Sequence, residues 1–285
     1  MKNISIIGGD LRIVKLIDML NADGYNVYTY GLEQANIDNV QKCKSIEEVS
    51  EKSDIIVSSI PFTSDGVNVN TPFSKNKISI EEVAKYIKGK TFIAGRIEEG
   101  LYQKFSETKV IDLLKREELT VLNTIATAEG TIQIAMEEST RTLHGSKILV
   151  MGFGRVSKIL SNMLKGIGAE VYCETRTTVN CAWIKAYGYN PILLDELDEN
   201  LNKFDIIINT IPHIILNKER LEKVKKDCII IDIASNPGGV DRNSAKELGI
   251  KIIWALSLPG RVAPITSAEF IKETLENILK DLKNN

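Results

Sequence analysis

The chain has 285 residues, 43% hydrophobic and 26% charged, with a net charge of −2. That is the balance of a soluble globular protein of one large or two ordinary domains, and it offers no polybasic surface for nucleic acid or acidic lipid. No apolar run approaches the ~18 residues of a membrane span, and "MKNISIIGGD" enters a strand almost at once, so no targeting peptide is expected. Cys43, Cys173, Cys181 and Cys228 are scattered and the histidines are only His144 and His213, so no metal site is expected and reduced thiols in a cytoplasmic protein are the plain reading.

In chain order, "NISII", "DIIVSSI", "TFIAG", "KVIDLL", "KILVM", "AEVYC", "DIIINTI", "CIIIDIA" and "KIIWAL" alternate with helical stretches. Runs apolar throughout and separated by helices predict parallel strands buried on both faces, an α/β doubly wound architecture. The order of features occurs twice. "SIIGGD" answers to "LVMGFG", "SDIIVSSIP" to "FDIIINTIP", "KTFIAG" to "CIIIDIA" and "KVIDLL" to "KIIWAL". Two tandem Rossmann-like lobes are expected, with a cleft between them. Duplication and the small residue menu of buried strands both account for the similarity.

The boundary falls near residue 124, giving a first lobe over 1–124 and a second over 125–264. A linker helix is expected over 127–143, with Thr127 as N-cap and Glu129 in its first turn. The last helix opens on Thr266 and Glu269 at capping-box spacing, and residues 265–285 are expected to pack back on the first lobe.

"GFGRVS" (Gly152, Phe153, Gly154, Arg155, Val156, Ser157) follows the strand "KILVM" and opens a helix, the context that gives a glycine-rich turn its meaning. Gly152 permits the tight turn and Gly154 lets a pyrophosphate approach the helix N-terminus. Ser157 replaces the third glycine and is small. The first lobe's turn, "IIGGD", carries Asp10 where a phosphate would meet a like charge, and it is read as empty. At the end of the next strand, the acid that bonds the ribose 2′-hydroxyl in NAD sites falls on Thr175, with Arg176, Thr177 and Thr178 after it. Glu174 is one residue early, and strand alternation would turn it to the opposite face. A neutral Thr175 beside Arg176 suits a 2′-phosphate, so NADP is favoured over NAD. Thr210, Ile211 and Pro212 of "NTIP", with Ala234 and Ser235 after "IIIDI", are the expected flanks of the nucleotide.

The two-lobe plan resembles that of NAD-dependent D-2-hydroxyacid dehydrogenases, yet Ser235 and Gly260 stand where those enzymes carry a catalytic arginine and histidine. "GGDLR", "SSIPFTSDGVNVNTPFS", "NTIATAEGTIQIAMEES", "TRTT", "DIASNPGGVD" and "LPGRVAPITSAEFI" together resemble, almost from end to end, the family of the dipicolinate synthase A subunit. The resemblance implies oxidation of dihydrodipicolinate to pyridine-2,6-dicarboxylate in the mother-cell cytoplasm of a sporulating bacterium. It also implies NADP as hydride acceptor and, for a partner, the flavoprotein-like B subunit of dipicolinate synthase. A homodimer stays open.

Holding two ring carboxylates calls for cations or several N–H donors. Arg12, Arg96 and Arg261 lie at or just beyond predicted strand ends, and Thr63 and Ser64 lie on the first-lobe loop equivalent to "NTIP". Thr127 and Glu129 would face the cleft if the linker helix starts there. Glu129 is a candidate base, or an acid that only suits the helix dipole; His213 is a candidate proton carrier, or plain surface. The thin supply of acids and bases keeps a second class open, a polypeptide that binds nucleotide and substrate but lacks chemistry alone. A third reading is another NAD(P)-dependent dehydrogenase of a small carboxylate.

Overall fold

The structure, a computed structural model, describes residues 3–284. The chain divides into two compact units, one running up to Asn123 and resuming at Ala263, the other spanning Thr124–Val262.

The first unit contains β1 (Asn3–Ile7), α1 (Leu11–Ala22), β2 (Asn26–Tyr30), β3 (Gln41–Lys42), α2 (Ile46–Glu51), β4 (Ile55–Ser58), α3 (Ile80–Tyr86), β5 (Thr91–Ala94), α4 (Glu99–Tyr102) and β6 (Lys109–Asp112). The helix α5 (Glu117–Glu138) carries the division between the units. The second unit continues with β7 (Lys147–Met151), α6 (Arg155–Ile167), β8 (Glu170–Thr175), α7 (Thr178–Ala186), β9 (Asn190–Leu193), α8 (Leu197–Asn200), β10 (Ile206–Asn209), α9 (Lys218–Leu221), β11 (Ile229–Asp232), α10 (Arg242–Leu248), β12 (Lys251–Trp254) and α11 (Leu258–Val262). The chain ends in α12 (Pro264–Asn284), which belongs to the first unit.

The sheets run β3-β2-β1-β4-β5-β6 and β12-β11-β10-β7-β8-β9. Counted from each unit's own first strand, both are the 3-2-1-4-5-6 order of a dinucleotide-binding fold, and the strand pairings are parallel. Alternation sorts each strand between two cores: Ile206 and Ile208 join one apolar cluster and Ile207 the cluster on the other face. The order reverses between β1 and β4 in one unit and between β7 and β10 in the other, which is where such sheets open a crevice for a ligand.

Three expectations on elements are corrected. The linker helix begins at Glu117, not Thr127, and ends at Glu138, not residue 143. The acid pair Glu117–Glu118 starts it, so Thr127 is an interior residue and no N-cap, and Glu129 lies well beyond the first turn, where the dipole no longer favours it. The last helix starts at Pro264, a residue whose fixed φ suits the first turn, so Thr266 and Glu269 form no capping box. The strands β2, β3 and β9 were not anticipated; β2, "NVYTY", alternates half-buried and buried positions and includes Asn26 and Thr29 instead of running apolar throughout.

α12 lays one face on α1. Ala268, Ile271, Leu275 and Ile278 are buried with Ile13, Leu16 and Ile17 in one cluster. Leu119, near the start of α5, joins that cluster, whereas Ala128, Ile132 and Ala135 join a cluster of the second unit.

Candidate functional site

In the first unit the glycine turn after β1 is filled by the chain itself. Gly9 N–H donates to the Asn70 carbonyl at 3.2 Å, and a Cβ on Gly8 would stand 2.4 Å from the Thr71 methyl. Asp10 is the N-cap of α1 and accepts from Arg12 N–H, so a carboxylate already sits where that helix terminus would attract an anion. This agrees with reading "IIGGD" as an empty turn.

The corresponding turn of the second unit is open. Gly152 has φ +88°, and a Cβ there would lie 2.8 Å from Thr210 Oγ1 and 3.0 Å from Ile211, so only glycine fits. Gly154 is the N-cap of α6 without a side-chain cap, and a Cβ on it would meet nothing within 4 Å. Ser157 is buried and its Oγ donates to the Gly152 carbonyl at 2.6 Å. The serine thus ties the helix to the turn. Thr210 Oγ1 donates to the Met151 carbonyl at 2.7 Å and holds the next loop against the same strand end.

A cavity of about 310 Å³ lies in front of this turn, lined by Gly152, Phe153, Gly154, Glu174, Thr175, Arg176, Thr177, Asn180, Thr210, Ile211 and Pro212. Nine of these were singled out from the sequence as cofactor residues; Glu174 and Asn180 were not. Arg155, Val156, Ala234 and Ser235 were singled out too and do not line it. Open space before Gly154 and a helix N-terminus capped by no side chain fit a pyrophosphate. The exposed guanidinium of Arg176 at the cavity edge fits a further anionic group. Thr175 is buried; its Oγ1 accepts from Asn180 Nδ2 at 3.1 Å, which orders the strand end, and Thr177 Oγ1 caps α7 by accepting from Asn180 N–H at 3.2 Å.

Glu174 departs from the expectation that it faces away. It is 1% exposed, and Gly152 N–H donates to its Oε2 at 3.0 Å. Burial pushes its carboxyl up from the usual range, against the opposing pull of the Gly152 hydrogen bond, Arg176 and Arg220. Alternation predicts the side of the sheet a side chain leaves from, but at a strand end a long side chain reaches the neighbouring turn. No periodicity signal exposes that contact.

The loops after β10 and β11 are clamped by buried Asp232. Its Oδ1 accepts from Asn209 Nδ2 at 2.8 Å and Ala234 N–H at 3.1 Å, and its Oδ2 accepts from Gly239 N–H at 2.8 Å. Ala234 is buried, its carbonyl accepting from Trp254 Nε1 at 3.0 Å, while Ser235 is exposed.

The other residues singled out from the sequence scatter in their surroundings. Arg12 is 6% exposed; it forms an ion pair with Asp10 at 2.7 Å and donates to the Ile60 carbonyl, so its guanidinium is committed within the first unit. Thr63 is buried in a turn, its Oγ1 accepting from Gly66 N–H at 3.0 Å, and Ser64 is exposed beside it. Arg96 is exposed with φ +56°, its N–H donating to Asp112 Oδ1 at 2.9 Å. Arg261 is exposed on α11, and Glu129 on α5. Thr127 is half-buried, and its carbonyl accepts from Thr131 Oγ1. His213 is exposed next to cavity-lining Pro212. Among the described residues no cluster of histidine, cysteine and acid side chains could hold a metal, and no helix is long and apolar enough to cross a membrane.

Residues 3–114 match the family model of the N-terminal domain of the dipicolinate synthase A subunit, and residues 120–242 match "D-isomer specific 2-hydroxyacid dehydrogenase, NAD binding domain". The dipicolinate synthase A subunit of Bacillus subtilis (strain 168) is 30% identical over 286 residues, which cover 98% of this chain and 96% of that protein. The crystal structure of its counterpart from Bacillus halodurans aligns with a TM-score of 0.90 at 30% identity, over 98% of this chain and 97% of that one. The crystal structure of the Bacillus subtilis protein aligns with a TM-score of 0.89, also at 30% identity, over 99% and 97%. With a nicotinamide-dinucleotide-binding domain of the dehydrogenase type over residues 120–242, and with the match running through both units, the chain belongs to the family of the dipicolinate synthase A subunit.

Proposed function

We propose that this chain catalyses the NADP-linked oxidation of dihydrodipicolinate to pyridine-2,6-dicarboxylate, acting with a flavoprotein-like B subunit in the mother-cell cytoplasm of a sporulating bacterium. The observation that carries the reading is the cavity at the Gly152 turn, set in a chain that matches its dipicolinate synthase relative along its whole length.

A bound nicotinamide dinucleotide supplies the acceptor for the hydride that leaves the dihydropyridine ring; the ring also loses a proton and becomes aromatic. The chain's own residues bind and orient. Gly152, Phe153 and Gly154 present backbone to the pyrophosphate, with Arg155 and Val156 opening the helix behind them. Thr175, Arg176 and Thr177 take the adenosine end, Arg176 pairing with the 2′-phosphate. Thr210, Ile211 and Pro212 line the other flank, with Ala234 and Ser235 on the loop clamped to it through Asp232.

For the dicarboxylate, Arg96 and Arg261 are the proposed cations, each an exposed guanidinium beyond a strand end. Thr63, Ser64 and Thr127 are proposed as neutral substrate contacts. Arg12 is proposed as an indirect support, because Asp10 already neutralises it. His213, next to the cavity wall, and Glu129 are the proposed proton acceptors. Neither lines the cavity, and this favours a second reading in which the chain binds both ligands and the B subunit completes the chemistry.

Mixing the purified chain with NADP⁺ and freshly generated dihydrodipicolinate, and following absorbance in the nicotinamide band, separates the two. Reduction by this chain alone supports the first reading; reduction only once the partner protein is added supports the second; none with both present removes the proposed reaction. Arg176→Ala is expected to weaken NADP⁺ binding by about 1.5–3 kcal/mol, the range for a hydrogen bond to a charged group. Unchanged affinity in a calorimetric titration takes Arg176 out of the site.

A further inference from the structure

The cavity at the Gly152 turn holds two opposite charges at one strand end. Arg176, exposed, follows β8. Glu174, buried, lies within β8 and lines the same cavity. One carboxylate oxygen of Glu174 is taken by Gly152 N–H. No hydrogen bond to its other oxygen is formed among the described residues. A buried carboxylate that lines a cavity with an acceptor to spare is built to receive a donor.

Each charge suits a different ligand group. An acid at the end of the second strand of a dinucleotide fold accepts from the adenosine ribose 2′-hydroxyl, which only the unphosphorylated dinucleotide carries. A guanidinium there pairs with a 2′-phosphate. The carboxylate repels that phosphate, and the guanidinium offsets the repulsion.

We propose that Glu174 is a specificity-determining residue which, opposed by Arg176, opens the site to both NAD⁺ and NADP⁺ by accepting the ribose 2′-hydroxyl of the one and limiting the affinity for the other. The proposal rests on the reading of this cavity as the cofactor site and deepens it. Removing either charge tilts the balance, in opposite directions.

The test is a direct binding titration of each dinucleotide with the full-length chain, with no turnover required. Wild type is expected to bind both, with dissociation constants within about tenfold of one another. Glu174→Gln keeps an oxygen for Gly152 N–H and removes the charge, so the ratio of NADP⁺ to NAD⁺ affinity is expected to rise about tenfold. Arg176→Ala is expected to move that ratio the other way, by about tenfold or more. If Glu174 served only to hold the turn, Glu174→Gln would leave the ratio where it is, and that result overturns the proposal.

Should Glu174→Gln not fold, the other two proteins decide. A wild-type preference beyond about a hundredfold for either dinucleotide, or loss of both from Arg176→Ala, also overturns it. Wild type that binds one dinucleotide and not the other leaves the cofactor reading standing and removes this inference; wild type that binds neither removes both.

Discussion

Ser157 and Glu174 show how far single residues could be read in advance. Ser157 is legible as a small residue in the least demanding glycine position, but its hydrogen bond to the Gly152 carbonyl at 2.6 Å depends on the turn closing over it. Arg176 is legible by its place after the strand. Glu174 is misread by alternation, because its carboxylate bends to the turn it borders. Its raised carboxyl has a consequence for stability. A carboxyl whose folded value lies above its unfolded one binds its proton more tightly when folded. That stability is present below the ordinary glutamate range and is lost as pH rises through the raised folded value. Without ligand, Glu174→Gln is therefore expected to gain melting temperature relative to the parent as pH rises from about 4 to about 8. Parallel melting profiles across that range would show that burial of Glu174 costs nothing.

At the scale of elements, the two helices that open beside glycine turns differ at the residue that caps them. α1 is capped by Asp10 and has its anion site filled; α6 is capped by Gly154, without a side-chain cap. That contrast was present in "IIGGD" and "GFGRVS". The start of α5 was not, since "LTVLNTIA" is rich in β-branched residues and reads as poor helix until its flanks find apolar partners. Packing also decides where α12 belongs. Leu275, 1% exposed, sits in the cluster that α12 shares with α1. Leu275→Ala is expected to cost about 2–5 kcal/mol, the range for truncating a buried leucine, measured as a lowered midpoint in chemical denaturation. A cost below about 0.5 kcal/mol, as at an exposed surface position, would contradict the packing of α12 on the first unit.

For the molecule as a whole, one strand order occurs twice and serves two ends. The first unit spends its glycine turn on Asn70, Thr71 and Asp10; the second leaves its turn open. Dinucleotide at about a hundredfold over its dissociation constant is expected to stabilise the protein by about 2.7 kcal/mol. Hydrogen exchange is expected to slow around residues 152–156 and 209–212 and to stay unchanged around Gly8–Asp10. Protection at the first turn instead would refute the assignment of the two turns.

By itself, the sequence determined the fold class, the doubling of the strand pattern and the place of the two glycine turns, because buried parallel strands and tight glycine turns each impose a short-range pattern. The tertiary structure decided what fills the first turn, which guanidinium is already neutralised, and where the carboxylate of Glu174 ends. Those outcomes depend on loops and side chains that meet from distant parts of the chain, as Thr71 does with Gly8 and Glu174 with Gly152. No local pattern specifies them.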